Sequence, residues 1–298
     1  MSQKTWTIRE LLAITADFLQ RKEIDSPRLS AEILLAHQLN IPRIKLYLDL
    51  DKPLNKKEVS GYRSLIKRRL NREPLQYITG VQEFWSLDFM VGPGVMVPRP
   101  ETELLVELVI SLCRDEKYPE TQCNRILDLC TGSGVLCISL SREFKNAAFW
   151  AGDISAEAID LARSNARKHG VEDRIEFRRG DLFEPFKKDK RTFDIIVTNP
   201  PYIASEDFSA LQPEIRDYEP MVALDGREEG MFFIEKIIAE GNNFLNQGGW
   251  VLLEMDPDQT ERAARLIDEN PGYDVVRRIR DYSHHYRVVM ARKKGGIS

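Results

Sequence analysis

Phe193-Asp194-Ile195-Ile196-Val197-Thr198-Asn199-Pro200-Pro201-Tyr202 decides how this chain is read. Its first six residues are apolar or β-branched apart from one aspartate, and they predict a buried strand. Two prolines follow. Proline cannot continue a strand ladder, so the strand stops there and the backbone beyond it is stiff. Asn199 is thereby held at a carboxyl edge with its carboxamide turned outward, the region where open α/β sheets take their ligands. A fixed amide, the carbonyl of Pro200 and the aromatic face of Tyr202 together suit a flat substrate that carries an NH2 group. The competing reading is an ordinary Pro-Pro turn after a core strand.

Working outward, strand and helix patterns alternate along the second two-thirds of the chain. Strands are expected at 125–129, 148–152, 174–178, 193–198, 250–255, 274–279 and 287–291, and helices at 101–114, 135–144, 156–169, 231–245 and 258–270. Such alternation predicts a mostly parallel sheet with helices on both faces. The last two strands have no helix between them, so an antiparallel hairpin is expected at the sheet edge. Upstream, Gly80, Gly92, Pro93, Gly94 and Pro98 punctuate short β-like runs at 83–87, 89–91 and 95–97, a hairpin linker. The first 75 or so residues read as helical. Thr7 with Glu10 and Asn55 with Glu58 fit capping boxes, and Ser26-Pro27 fits an N-cap followed by an N1 proline. Phe18 and Leu29 are counted among the inward-facing residues of these helices. The third helical pattern carries Lys56, Lys57, Arg63, Lys67, Arg68, Arg69 and Arg72 on one face. That face is either solvated, as charge runs on helices usually are, or a docking surface for a partner that itself binds RNA. The expected division is a helical bundle at 1–78, a hairpin linker at 79–98 and an α/β domain at 99–298.

Composition narrows the class. A length of 298 residues accommodates two domains, and 42% hydrophobic with 30% charged residues describes a globular protein. A formal net charge of -4 argues against wholesale nucleic-acid binding. No stretch approaches the roughly 20 apolar residues of a membrane span, and the first ten residues have no apolar signal core, so a cytoplasmic protein without membrane contact is expected. Cys113, Cys123, Cys130 and Cys137 form no C-x-x-C pair and show no metal-ligand spacing. They read as reduced thiols, and no metal is expected.

Asp128-Leu129-Cys130-Thr131-Gly132-Ser133-Gly134 follows the first strand of the sheet and opens a helix. Small residues there let a ligand approach the backbone, and the helix start offers free N–H groups. The spacing is not G-x-G-x-x-G, which lowers the case for a dinucleotide. Asp153 ends the second strand, where a carboxylate can accept ribose hydroxyls, although helix-start chemistry beside Ser155 explains it equally. Asp181-Leu182 ends the third strand and suits the exocyclic NH2 and the face of an adenine. With Asn199 on the fourth, these residues outline a nucleoside pocket beside a reactive group.

The same residues carry a resemblance. Gly80-Val81-Gln82-Glu83-Phe84-Trp85, Val97-Pro98-Arg99-Pro100-Glu101-Thr102-Glu103, the Asp128 to Gly134 loop, Asn199-Pro200-Pro201-Tyr202 and Arg216-Asp217-Tyr218-Glu219-Pro220 with Ala223-Leu224 are similar to the signatures of the release factor glutamine N5-methyltransferases, the HemK/PrmC family. The resemblance implies a seven-stranded, Rossmann-like class I methyltransferase sheet and a small helical domain that grips a protein substrate. It implies S-adenosyl-L-methionine as methyl donor, with S-adenosyl-L-homocysteine as product and no metal. The implied substrate is the glutamine of the Gly-Gly-Gln motif in class 1 peptide chain release factors. Cofactor contacts fall to Cys130, Thr131, Gly132, Ser133, Gly134, Asp153, Asp181, Leu182 and Asn199, and catalysis to Asn199, Pro200, Pro201 and Tyr202. Arg99 and Glu101 either border the pocket or form an ion pair joining the domains. The tetrapeptide is shared with enzymes that methylate adenine or guanine amino groups, so a DNA or RNA methyltransferase and a ribosomal-protein glutamine methyltransferase are the alternatives. An inactive methyltransferase fold used as a binding module is the non-enzymatic one. The chain departs from the family pattern at Cys130, where glycine is usual and where a side chain calls for negative φ or a slight retreat of the cofactor. His284-His285 is a second departure and reads as a loop pair.

Overall fold

In the computed structural model, which describes residues 5–115 and 123–295, the run ahead of Asn199 is a strand, Phe193–Thr198, buried along its whole length. The chain divides into two units: Met1–Val81 with Gln212–Tyr218, and Gln82–Leu211 with Glu219–Ser298. The hairpin therefore belongs to the second unit. Seven residues downstream of the Asn-Pro-Pro-Tyr motif return to the first.

In the first unit, Trp6–Thr7 (β1) pairs antiparallel with Pro53–Leu54 (β2). Helices span Ile8–Arg21 (α1), Pro27–Leu39 (α2), Arg43–Leu48 (α3), Lys56–Leu70 (α4) and Leu75–Thr79 (α5). Both capping boxes form as expected: Thr7 with Glu10 starts α1, and Asn55 with Glu58 starts α4. Ser26 differs, standing at φ +46° without a side-chain capping bond, so Pro27 alone marks that start. Ile8, Leu19, Leu34, Leu35 and Tyr62 fill the core, whereas Phe18 and Leu29 are exposed at 37% and 41% and do not face inward. The basic face of α4 is not uniformly solvated. Arg69 is buried and donates to Glu214 at 2.8 Å, and Arg72 donates to the carbonyls of Lys22 and Glu23. Glu214 lies on the short helix Pro213–Arg216 of the returning segment, where Tyr218 also donates to the Asn71 carbonyl at 2.6 Å.

The second unit begins at Gln82, the second residue of a hairpin made of Val81–Phe84 (β3) and Leu87–Met90 (β4). Trp85 and Ser86 at its turn both take positive φ, as a two-residue primed turn requires. The strands lie two residues earlier than expected, and 95–97 is not a strand. Glu103–Leu112 (α6) follows. The sheet comprises Arg125–Leu129 (β5), Ala148–Asp153 (β6), Ile175–Arg179 (β7), Phe193–Thr198 (β8), Leu245–Glu254 (β9), Tyr273–Arg280 (β10) and Tyr286–Lys293 (β11). Between them run Val135–Glu143 (α7), Ala156–Lys168 (α8), Phe232–Phe244 (α9) and Thr260–Asp268 (α10). Strand order is β10-β11-β9-β8-β5-β6-β7, with β11 antiparallel to both its neighbours and the rest parallel. This is the expected seven-stranded α/β sheet, with the antiparallel hairpin at its edge. Leu105, Val109, Leu136, Ile138 and Ile159 pack one face, and Ile234, Ile237, Ile267, Phe183 and Phe186 pack the other. Strand order reverses between β5 and β8, so the ends of those two strands open the crevice that doubly wound sheets use for ligands.

The expectation of four reduced thiols is overturned. Cys113 and Cys123 are joined in a disulfide with their Cα atoms 5.9 Å apart, so only Cys130 and Cys137 are free thiols. The pair is 10 residues apart in sequence, a spacing that a search for C-x-x-C does not see. Among the described residues, no helix is long and apolar enough to cross a membrane.

Candidate active site at the sheet switch point

Register brings the site together. Leu129 lies beside Gly152 on β6 and beside Thr198 on β8, which in turn lies beside Leu253 on β9. The next residue on each strand, Cys130, Asp153, Asn199 and Glu254, therefore emerges at one edge of the sheet. A cavity opens there, with about 1060 Å³ of empty space including its mouth. Cys130, Thr131, Gly132, Ser133, Asp153, Asp181, Leu182, Asn199 and Pro201 line it, and Gly134, Pro200 and Tyr202 do not.

The glycine loop is shaped by its backbone. Gly132 and Gly134 have φ of +55° and +85°, and a Cβ on Gly134 would stand 2.9 Å from Ile138 Cδ1 and 3.1 Å from Ala162 Cβ. Cys130 also has positive φ, +57°, so of the two alternatives for a side chain there, negative φ is not the one taken. The loop keeps its glycine-like path and the side chain bears the strain. Burial, aided by Asp153, pushes the Cys130 thiol up, which keeps it protonated and poorly nucleophilic. Beneath the loop, Asp128 is fully buried and accepts from the Thr131 hydroxyl at 2.6 Å and the Cys137 N–H at 3.2 Å. Burial raises its pKa to about 7, and its Oδ1 has no partner. Asn165, fully buried on α8, accepts from Met90 N–H and donates to the carbonyls of Met90 and Ser133, which locks the hairpin strand β4 to the loop.

Asp153 has two tasks. Its Oδ2 accepts from Gly132 N–H and its Oδ1 from Ser155 N–H, both at 2.9 Å, while Ser155 itself caps α8. Each carboxylate oxygen keeps a further lone pair for a ligand. Burial raises its pKa. Asp181 forms an ion pair with Lys236 at 3.3 Å, and Leu182 stands at φ +44° with its side chain buried at the cavity wall. Ser133 is buried on the lining, and its Oγ has no hydrogen-bond partner.

The Asn199 carboxamide is pinned at one end. Its Nδ2 donates to Thr102 Oγ1 and to Glu254 Oε1, each at 3.0 Å, so its NH2 group is fully engaged. Oδ1 is the end left to accept from whatever enters the cavity. Glu254, 1% exposed, also accepts from the Tyr202 hydroxyl at 3.4 Å, and burial raises its pKa to about 7. The lip around the motif is laced from behind. Gln259 donates to the Tyr202 carbonyl at 2.8 Å, and Ile203 exchanges main-chain bonds with Leu224 and Gly226. Arg99 makes two bonds to Glu219, at 2.7 and 2.9 Å, and neither Arg99 nor Glu101 lines the cavity. The pair lies within the second unit, not between the units. His284 and His285 sit in the turn between β10 and β11, away from the cavity.

Thr102, Glu254, Gln259 and Asn165 were not singled out in the sequence. Thr102 enters there only as part of the Val97 to Glu103 signature, and Glu254 left a weaker signal, a lone acid closing the apolar run Trp250-Val251-Leu252-Leu253 at a strand's carboxyl end.

A family model described as PrmC N-terminal domain matches residues 10–80, and one described as methyltransferase small domain matches residues 107–215. A release factor glutamine methyltransferase of Geobacter sulfurreducens is 43% identical over 256 residues, covering 86% of this chain and 86% of that protein. The protein of the same name from Chlorobaculum tepidum is 37% identical over 94% of this chain and 95% of its own length. A third, from Rhodopirellula baltica, is 34% identical over 97% of both.

Proposed function

This chain belongs to the family of release factor glutamine methyltransferases, S-adenosyl-L-methionine-dependent enzymes, and we propose that it methylates the side-chain amide nitrogen, N5, of the glutamine in the Gly-Gly-Gln motif of class 1 peptide chain release factors. When bound, S-adenosyl-L-methionine supplies a methyl group on a positively charged sulfur and departs as S-adenosyl-L-homocysteine. The residues at the cavity fit that molecule. Asp153 would accept from the ribose hydroxyls, Asp181 from the adenine NH2, and Leu182 would cover the ring face. The loop from Cys130 to Gly134 would take the amino-acid portion, with the orphaned Ser133 Oγ available to it.

The observation that carries the reading is the orientation of Asn199. A glutamine amide nitrogen is a weak nucleophile because its lone pair is delocalised into the carbonyl. Asn199 Oδ1 and the Pro200 carbonyl would accept its two N–H bonds, aim the nitrogen at the methyl carbon and favour the positive charge that develops on it. The nitrogen then sheds a proton to solvent, so no general base has to act before transfer. Pro201 lines the cavity, while Tyr202 buttresses the lip through Glu254. The helical unit, the first 78 residues of the expected division, would grip the release factor.

Asn199→Ala tests the assignment. Loss of one preorganised acceptor should lower kcat on a release factor by roughly 100-fold. Calorimetry should find the S-adenosyl-L-methionine affinity within a few-fold of wild type. Near-full turnover by the variant would remove Asn199 from the chemistry.

A further inference from the structure

We propose that Glu254 is a positioning residue for methyl transfer: it fixes the Asn199 carboxamide so that the oxygen, and never the NH2 group, faces the substrate nitrogen. The proposal rests on the function proposed above and deepens it. A carboxamide is almost symmetric in shape, with an acceptor at one end and donors at the other. Against a substrate that itself presents an NH2 group, the wrong flip sets donor against donor and loses the acceptor.

Glu254 decides between the two. Its Oε1 lies 3.0 Å from Asn199 Nδ2, and an ionised carboxylate has no hydrogen to give, so only the NH2 end can face it. The second N–H goes to Thr102 Oγ1, also at 3.0 Å. A hydroxyl can serve either flip, so the choice between the two falls to the carboxylate. The Tyr202 hydroxyl donates to the same carboxyl oxygen. Two side chains of the substrate motif, Asn199 and Tyr202, are thus oriented by one buried acid that does not itself line the cavity.

Stability does not account for an acid at this place. Glu254 is 1% exposed and its Oε2 has no hydrogen-bond partner, a costly arrangement that an amide or an apolar side chain would avoid. Register explains how it arrives: Leu253 lies beside Thr198, so the residues that end β9 and follow β8 meet side by side. Charge adds to orientation, since an N–H bonded to a carboxylate polarises the amide and enriches Oδ1. Arg287 of β11 holds the carboxyl toward ionisation, while burial and Glu101 oppose it.

The test is steady-state kinetics on a release factor with Glu254→Gln, a substitution of equal size whose own amide lets Asn199 settle either way. We expect kcat to fall roughly tenfold or more. KM and the calorimetric affinity for S-adenosyl-L-methionine should stay within about threefold. In an Asn199→Ala background the same change should alter kcat less than about twofold, because its effect passes through Asn199. Wild-type kcat should rise through about pH 7 as the Glu254 carboxyl ionises, and Glu254→Gln should lack that rise. A Glu254→Gln enzyme as fast as wild type overturns the proposal. So does an equal loss in both backgrounds, or a loss of kcat that tracks lost cofactor affinity and melting temperature. Should Glu254→Gln not fold, Thr102→Val, which removes the other acceptor of the same NH2 group, must show the kcat loss or the proposal fails. A wild-type enzyme that leaves the release factor unmethylated overturns the function itself, and the positioning role with it. A working wild type beside an unimpaired Glu254→Gln overturns the positioning role alone.

Discussion

Cys130 stands at φ +57°, where a Cβ crowds the following carbonyl and glycine is free of the clash. Cys130→Gly should therefore stabilise the protein by about 1 kcal/mol, less what the glycine loses in chain entropy. A melting curve should shift upward by roughly 2 °C. Two strands away from Glu254, Asp128 offers a test of buried charge. Its pKa in the fold is about 7 against an ordinary 3.8, so the folded protein holds a proton that the unfolded chain has already released. Stability from this group consequently declines as pH rises from about 4 through 7, and the full penalty persists above that. Asp128→Asn removes the titration. Relative to wild type it should gain with pH, by on the order of 3 kcal/mol between pH 5 and pH 8, in denaturant titrations at each pH. A constant difference across that range would show that Asp128 is not held neutral by burial.

At the scale of elements, the lip behind Asn199 is two segments in close contact. A Cβ on Gly230, at φ +69°, would stand 2.1 Å from the Tyr202 carbonyl oxygen and 2.3 Å from Gln259 Nε2. One on Gly226 would stand 2.7 Å from Tyr202 Cα. Gly230→Ala should cost roughly 3 kcal/mol and lower turnover more than cofactor binding, because the displaced atoms belong to the substrate motif. Thermal melts, kcat and calorimetry check it together. The elements most legible in the sequence are those buried on both faces: β5 and β8 begin and end where their apolar runs do. β9 begins five residues before the expected 250, because Leu245 pairs with Phe193 and the turn-like Asn246-Gln247-Gly248-Gly249 forms an irregularity in the ladder before pairing resumes at Trp250. The hairpin turn escaped for the opposite reason: Trp85 and Ser86 adopt positive φ without the glycine or asparagine that usually signals it. Cofactor-side residues were readable because each directly follows a strand. Glu254 and Thr102 were not, since the first meets Asn199 across 55 residues and the second across 97.

At the scale of the whole molecule, the alternation of strands and helices gave away the sheet, and the capping boxes gave away the helical unit. The return of Gln212–Tyr218 to that unit left no mark in local sequence, because its anchor, Glu214 to Arg69, joins positions 145 residues apart. Arg69 accordingly looked like one more surface charge on a basic helix, and is instead buried with an acid. Both units, the switch-point cavity and the pinned Asn199 serve one claim: this enzyme places a methyl group on an amide nitrogen of a release factor. Incubation of wild-type enzyme with a class 1 release factor and S-adenosyl-L-methionine, followed by intact-mass and fragment analysis of the factor, tests it most directly. The account predicts a single added methyl group, of about 14 Da, on the side-chain nitrogen of the Gly-Gly-Gln glutamine. An unmodified factor, or a methyl group on any other residue, would contradict it.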